Sequence, residues 1–229
     1  MTGTQDIDME TQTQPNTGRL VLLLIAGIPL TMILAASWLW FFVVRGDLDL
    51  VGMIGTANQG ALLDPPRQIT DVDLYGRDGR IADWGATDGE ARWIMLVPSP
   101  GSACDLACEQ RLYLTRQIHV AMGKEFNRLA RAYVSDTPIA ETALTVNTLE
   151  DGGDLPDSLA ALLDRDHRGL KDYSISAEDF SALFPELAED PDIWYLVDPA
   201  GWVMMSYDKS VGYRDVMSDL KFLLKNSGG

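Results

Sequence analysis

The chain has 229 residues, 46% hydrophobic and 23% charged, with two cysteines and a formal net charge of −16. With 34 acidic against 18 basic side chains, counterion release has too little positive charge to work with, so nucleic-acid binding is excluded as the expected role. Two cysteines also exclude a disulfide-framed miniprotein and a four-cysteine zinc site, leaving one disulfide, one redox pair or part of one metal site.

Residues 1–19 are polar, rich in Thr and Gln and without periodicity, which predicts a disordered tail. Residues 20–44 carry no charge between Arg19 and Arg45. As a helix those 25 residues span about 37 Å, enough to cross a hydrocarbon core. A cleaved signal peptide would end at small residues such as Ala35, Ala36 and Ser37. The apolar run instead continues through Trp38 to Val44, and the tryptophans suit an interfacial belt, so a retained transmembrane helix is expected, with Pro29 kinking it. Arg19 on one side against Arg45 and Arg67 on the other leaves the orientation open. Residues 45–67, with four glycines and Pro65-Pro66, read as a linker, and residues 68–229 as one globular domain. Residues 45–229 carry a net −14, a field that repels anionic lipid and would attract a basic partner.

Within the domain, Ile69, Val72 and Leu74 form an extended stretch followed by a hairpin turn at Asp78-Gly79. Trp93 to Val97 (WIMLV) has the pattern of a strand buried on both faces, stopped by Pro98-Ser99-Pro100-Gly101. A helix is predicted from Asp105 to about Met122, with Ala107, Leu114, Ile118 and Ala121 on its apolar stripe and Arg111, Arg116 and Lys124 away from it or at its margin. Arg128 to Val134 can form the next strand, making a parallel crossover. Short helices are predicted at 157–163 and 176–183, the second opened by Ser176-x-x-Asp179. Ile193 to Val197, the turn Asp198-Pro199-Ala200-Gly201 and Trp202 to Tyr207 read as strand, turn, strand, and a helix closes the chain from Tyr213 to about Lys225. This order predicts an α/β, thioredoxin-like domain, a central mixed sheet flanked by helices, behind one N-terminal transmembrane helix.

The pair Cys104 and Cys108 falls where the buried strand gives way to the helix. If both are helical their α-carbons lie about 6 Å apart on one face, within disulfide reach. Free amides and the positive helix end favour thiolate, and with it redox exchange and soft-metal binding, while Asp105 and Glu109 act against it. Two buried, inert cysteines one turn apart are the alternative. Neither histidine belongs to a Ser-His-Asp or zinc pattern, and no glycine-rich loop leads to a phosphate-binding lysine.

On DVDLYGRDGR, WIMLV, the C-x3-C pair at the helix start and YLVDPAG, residues 68–225 resemble the Sco/SenC family of membrane-anchored, thioredoxin-like proteins that assemble the copper centre of cytochrome c oxidase. The resemblance implies a single-pass anchor in the bacterial inner membrane, the N-terminus cytoplasmic and the domain periplasmic. It also implies a respiratory oxidase subunit or its assembly proteins as partner, and Cu(I) contact through Cys104 and Cys108. The family's copper histidine has no counterpart in Glu189-Asp190-Pro191-Asp192-Ile193-Trp194, and Glu109 stands where a proline normally follows the second cysteine. His119, about 16 Å along the helix from Cys108, cannot share a metal with the pair and is expected at or near the surface. His167 is expected in a solvated loop, Met204 and Met205 as core filler or thioether donors, and Pro191 at a cis-proline position. The expected role is a Sco-like oxidase assembly factor using Cys104 and Cys108 as a redox pair, with the enzyme question left open. A general periplasmic thiol-disulfide oxidoreductase and a binding module with a structural disulfide are the alternatives.

Overall fold

A computed structural model describes residues 17–44, 58–84 and 92–226. Helix α1, Thr17–Val44, is 28 residues long, about 42 Å. Its segment Val21–Trp38 has a mean hydropathy of 2.2 and no buried side chain, so by length and composition it can cross a membrane. It takes in Thr17, Gly18 and Arg19, which the sequence places in the tail; residues 1–16 and 45–57 lie outside the described residues. Pro29 lies inside the helix, and Thr31 Oγ1 donates to the Ile28 carbonyl at 2.9 Å.

The second unit, from Ala57 onward, is built on a six-stranded sheet. Its strands are β1 (Ala61–Gln68), β2 (Trp93–Ser99), β4 (Leu129–Ser135), β6 (Lys171–Ser174), β7 (Trp194–Val197) and β8 (Trp202–Tyr207), in the order β1-β8-β7-β2-β4-β6. β2, β4 and β6 are parallel, while β7, β8 and β1 add antiparallel on the other side. Short strands β3 (Ala103–Cys104) and β5 (Ala143–Leu144) form a separate parallel pair. The helices are α2 (Leu106–Ala121), α3 (Leu159–Asp166), α4 (Ala177–Leu183) and α5 (Tyr213–Asn226).

Strand periodicity sorts the core. Ile94, Leu96, Ala132, Val134 and Val197 face one side of the sheet, where Phe180, Leu183 and Phe184 at α4 cover them with Ile69 and Leu74. Met95, Leu196, Met205 and Tyr207 face the other, beneath Ile118 and Met122 at α2 and Val216, Leu220 and Leu224 of α5. Val97 and Tyr133 extend that second side toward the C-terminal ends of the parallel strands, under α3.

Two strands depart from the sequence reading. Residues 61–67, placed in the linker because of the glycines before them and their own prolines, form with Gln68 the edge strand β1, which interrupts its pairing with β8 between Leu62 and Arg67 and so accommodates Pro65 and Pro66. Its entry needs Gly60, since a Cβ there would meet Met205 Sδ and Tyr207 Cε1 at 2.6 Å. Strand β6, which the sequence reading lacks, is four residues long and mostly polar, too short for period two to show. Ile69–Asp71 is a 3-10 turn rather than extended, and the expected hairpin is a single bridge, Tyr75 to Ile81, around Gly79. The helix predicted at 157–163 begins two residues later, capped by Ser158. Ser176 caps α4 as its spacing predicts, accepting from the Asp179 amide at 3.1 Å. In the turn after β7, the Gly201 amide bonds the Asp198 carbonyl at 3.0 Å, and Gly201 takes φ +91°.

Candidate functional site: a sealed disulfide at a strand-to-helix junction

β2 ends on Pro98 and Ser99, and the chain turns through Gly101 to deliver Cys104 on β3 and Cys108 in the first turn of α2. Asp105 between them is the helix cap: its backbone is extended, and its Oδ1 accepts from the Cys108 amide at 3.0 Å. Cys104 therefore precedes the helix rather than belonging to it, a correction to the one-face reading. The two α-carbons are 5.2 Å apart and the sulfurs are joined in a disulfide with an S–S distance of 1.97 Å. Asp105 satisfies the amide of Cys108, which is not left free for a thiolate.

The disulfide has no open face: Cys104 is 0% and Cys108 1% exposed. Val97, Leu112, Tyr133, Val146, Leu149 and Leu159 pack in the same cluster. A strap following β5 lies across it. The Ala143 amide donates to the Ser102 carbonyl at 2.8 Å, and the amide and Oγ1 of Thr145 donate to the Cys104 carbonyl at 3.0 and 3.2 Å. Further along, α2 holds the strap through three side chains: Glu109 Oε1 accepts from the Glu150 amide at 3.2 Å, Gln110 bonds the Glu150 carboxylate, and Arg116 pairs with Asp151 at 2.8 Å.

Around this centre the second side of α2 carries more polarity than its sequence reading assigns. The buried positions are Cys108, Glu109, Arg111, Leu112, Thr115, Ile118 and His119, whereas Ala107 and Leu114 are half-buried and Ala121 is exposed. Arg111, expected at the margin, is 5% exposed. Its Nη1 donates to the carbonyls of Pro98 at 2.7 Å and Ile193 at 3.0 Å, and its Nε to that of Ala107 at 3.1 Å. Burial pushes its pKa below the usual guanidinium range. Glu109 is 3% exposed; burial raises its pKa, and its Oε2 has no hydrogen-bond partner. The Tyr133 hydroxyl, near Ser99 and Ser135, is likewise buried without a partner of good geometry. The signal in the sequence is the spacing: 108, 111, 112, 115, 118 and 119 recur at three and four residues, so Arg111 shares a stripe with Cys108.

The histidines are corrections in position. His119 is buried against Phe126, its ring stacked at 3.9 Å between centroids and its Nε2 2.9 Å from the Phe126 carbonyl. His167, expected in solvent, is 3% exposed, with Nδ1 3.0 Å from Arg131 Nη1. Burial and the Arg131 charge push its pKa down to about 3, so the ring is neutral and accepts from the guanidinium. Met205 fills the core over β7 and β8, and Met204 packs at its margin. Pro191 does line a depression of about 80 Å³ with Ser99, Pro100, Ala103, Asp105 and Arg111, facing the cysteine loop. Its peptide is not cis: among the described residues that bond is Asp64–Pro65. Nor do the described residues bring together three His, Cys, Asp or Glu side chains. Two sulfurs tied to each other, with both histidines committed elsewhere, do not fit a three-ligand copper site, and no copper step is derived from them.

A family model described as "Transmembrane-like, thioredoxin-like, C-terminal domain" matches residues 93–152 and 146–227. The chain belongs to this family. Its domain has the thioredoxin-like fold expected from the sequence, and α1 fits a single-pass membrane anchor. No curated protein matches. Solved structures similar to the chain include yeast Sco1 with copper bound, at 12% identity and TM-score 0.48, covering 76% of this chain and 97% of that one. Arabidopsis thaliana ScoI with copper bound is similar at 13% identity and TM-score 0.46, covering 72% and 98%. A putative electron transfer protein from Aquifex aeolicus VF5 is similar at 16% and 0.46, covering 71% and 98%.

Proposed function

We propose that the protein is a membrane-anchored, Sco-like thiol-redox factor in the assembly of a respiratory cytochrome c oxidase, with Cys104 and Cys108 as its reversible pair. The observation that carries the redox part is the disulfide closed across the cap of α2, where the chain passes from a central strand into a helix. A thiolate formed there faces the positive end of a 16-residue helix. The oxidase part rests on the C-x3-C and YLVDPAG resemblance. A disulfide also suits an oxidising compartment, which supports a periplasmic domain and a cytoplasmic N-terminus.

The complete burial of both cysteines favours a second reading, a binding module whose disulfide is structural. Graded glutathione buffers applied to the full-length protein in detergent, with alkylation and mass spectrometry counting thiols, separate the two. The redox reading expects a cooperative two-electron transition and loss of oxidase assembly in Cys104→Ser and Cys108→Ser cells. A bond that stays closed under strong reductant in the folded protein leaves only the structural reading. Cu(I) uptake that depends on both cysteines would add metal handling to the redox role.

A further inference from the structure

Arg111 is a buried cation whose hydrogen bonds all go to neutral carbonyls. A buried charge is costly unless an opposite charge compensates it. Two carboxylates, Asp105 and Asp192, lie near and favour its charge from a distance, but neither hydrogen-bonds it: Asp105 caps the Cys108 amide, and Asp192 pairs with Lys209 at 3.0 Å. The Tyr195 hydroxyl, also near, donates to Glu186, and the Tyr133 hydroxyl is un-ionised at neutral pH, its pKa raised by burial. The side chain folds back along the helix, because its Nε reaches the Ala107 carbonyl one turn toward the N-terminus. Three residues from Cys108, on the same buried stripe, the guanidinium thus lies over the first turn of α2.

Resting on the redox reading above, we propose that Arg111 is the counter-charge for the thiolate released on Cys108 when the disulfide is opened. The incoming reductant is a dithiol, and its first thiolate attacks Cys104 sulfur once local opening of the strap over the disulfide gives it access. A mixed disulfide forms at Cys104, and the Cys104–Cys108 bond breaks with its electron pair on Cys108. The second dithiol sulfur, losing its proton to solvent, then displaces Cys104, which takes up a proton. The dithiol leaves as a disulfide and the protein holds one thiol and one thiolate. In the oxidised protein no anion hydrogen-bonds the guanidinium, and reduction places one beside it.

The test is the equilibrium of the full-length protein with glutathione. Arg111→Gln is expected to favour the disulfide about tenfold over wild type, one charge interaction of roughly a pK unit. Arg111→Lys, which keeps the charge, should remain within about threefold of wild type on the same scale. An unshifted Arg111→Gln, or equal shifts in both variants, would mean that the side chain only props the Pro98 and Ile193 loops, and would overturn the inference. A wild-type disulfide that cannot be reduced sinks the redox reading and this inference with it. Should the Arg111 variants not fold, a carboxylate can stand in for the thiolate with Arg111 intact. In a Cys104→Ala background, Cys108→Asp should melt above Cys108→Asn, and the reverse order refutes the charge pairing.

Discussion

Two buried charges of the domain are treated differently. At the corner where the chain enters β1, the Asp219 carboxylate on α5 accepts from the amides of Gln59 at 2.9 Å and Gly60 at 3.0 Å and from the Tyr207 hydroxyl at 3.2 Å. Charged acceptor and donors are matched, and that corner is a structural rivet. Beside the disulfide, Arg111 has only carbonyls, Glu109 keeps an orphan oxygen and Tyr133 an orphan hydroxyl. On the redox reading proposed above, a polar cluster left incomplete beside the closed disulfide is where a second state can be stabilised.

The comparison breaks first if the satisfied corner proves dispensable. Asp219→Ala strands three donors, two of them buried, and should cost roughly 3–5 kcal/mol in urea unfolding; a loss below about 1 kcal/mol would mean that water replaces the carboxylate. Next comes the Arg131–His167 pair, which belongs with the satisfied class while His167 is neutral. Its depressed pKa, from burial and the nearby arginines, means that stability is present above the ordinary histidine value of about 6.5 and is lost as pH falls toward about 3. The expected loss by pH 4 is up to about 3 kcal/mol, and His167→Asn, which still offers Arg131 an acceptor, should flatten that slope. An unchanged acid profile in His167→Asn would remove the pair from the class.

The smallest effect is at Glu109. Its raised pKa, caused by burial, makes the folded state bind the proton more tightly than the unfolded one. Stability is therefore greatest below the ordinary glutamate value and declines as pH rises through the raised one. Glu109→Gln keeps an acceptor for the Glu150 amide and should match or exceed wild type at pH 7 by less than about 1 kcal/mol. A clear destabilisation would show that the carboxylate is matched after all.

What the sequence made legible follows from pattern strength. WIMLV, IWYLV and the 3.6-period closing helix bury whole faces, so their elements and the disulfide junction stand out. β1 and β6 are edge strands, and their composition is set by solvent and by prolines rather than by a core. His167 and Arg131 are 36 residues apart, and only packing of the C-terminal end of α3 against β4 makes them partners, which no local window contains. Arg111 lay within reach of the spacing argument, but a charged residue on a helix is read as solvated until its neighbours are known.

Edge strand β1 bears on how other chains can approach. Proline has no N–H to offer, so Pro65 and Pro66 leave this border of the sheet without a continuous ladder of donors. At the opposite border, Tyr75 and Ser174 exchange both of their backbone bonds at 2.9 Å and occupy β6 from outside. Strand addition, one route by which exposed sheets recruit peptides or polymerise, is thereby discouraged along β1 and at the Ser174 end of β6. Recognition is left to loops and side chains, and a domain crowded beside its own copies on a two-dimensional surface is guarded against zipping into fibrils.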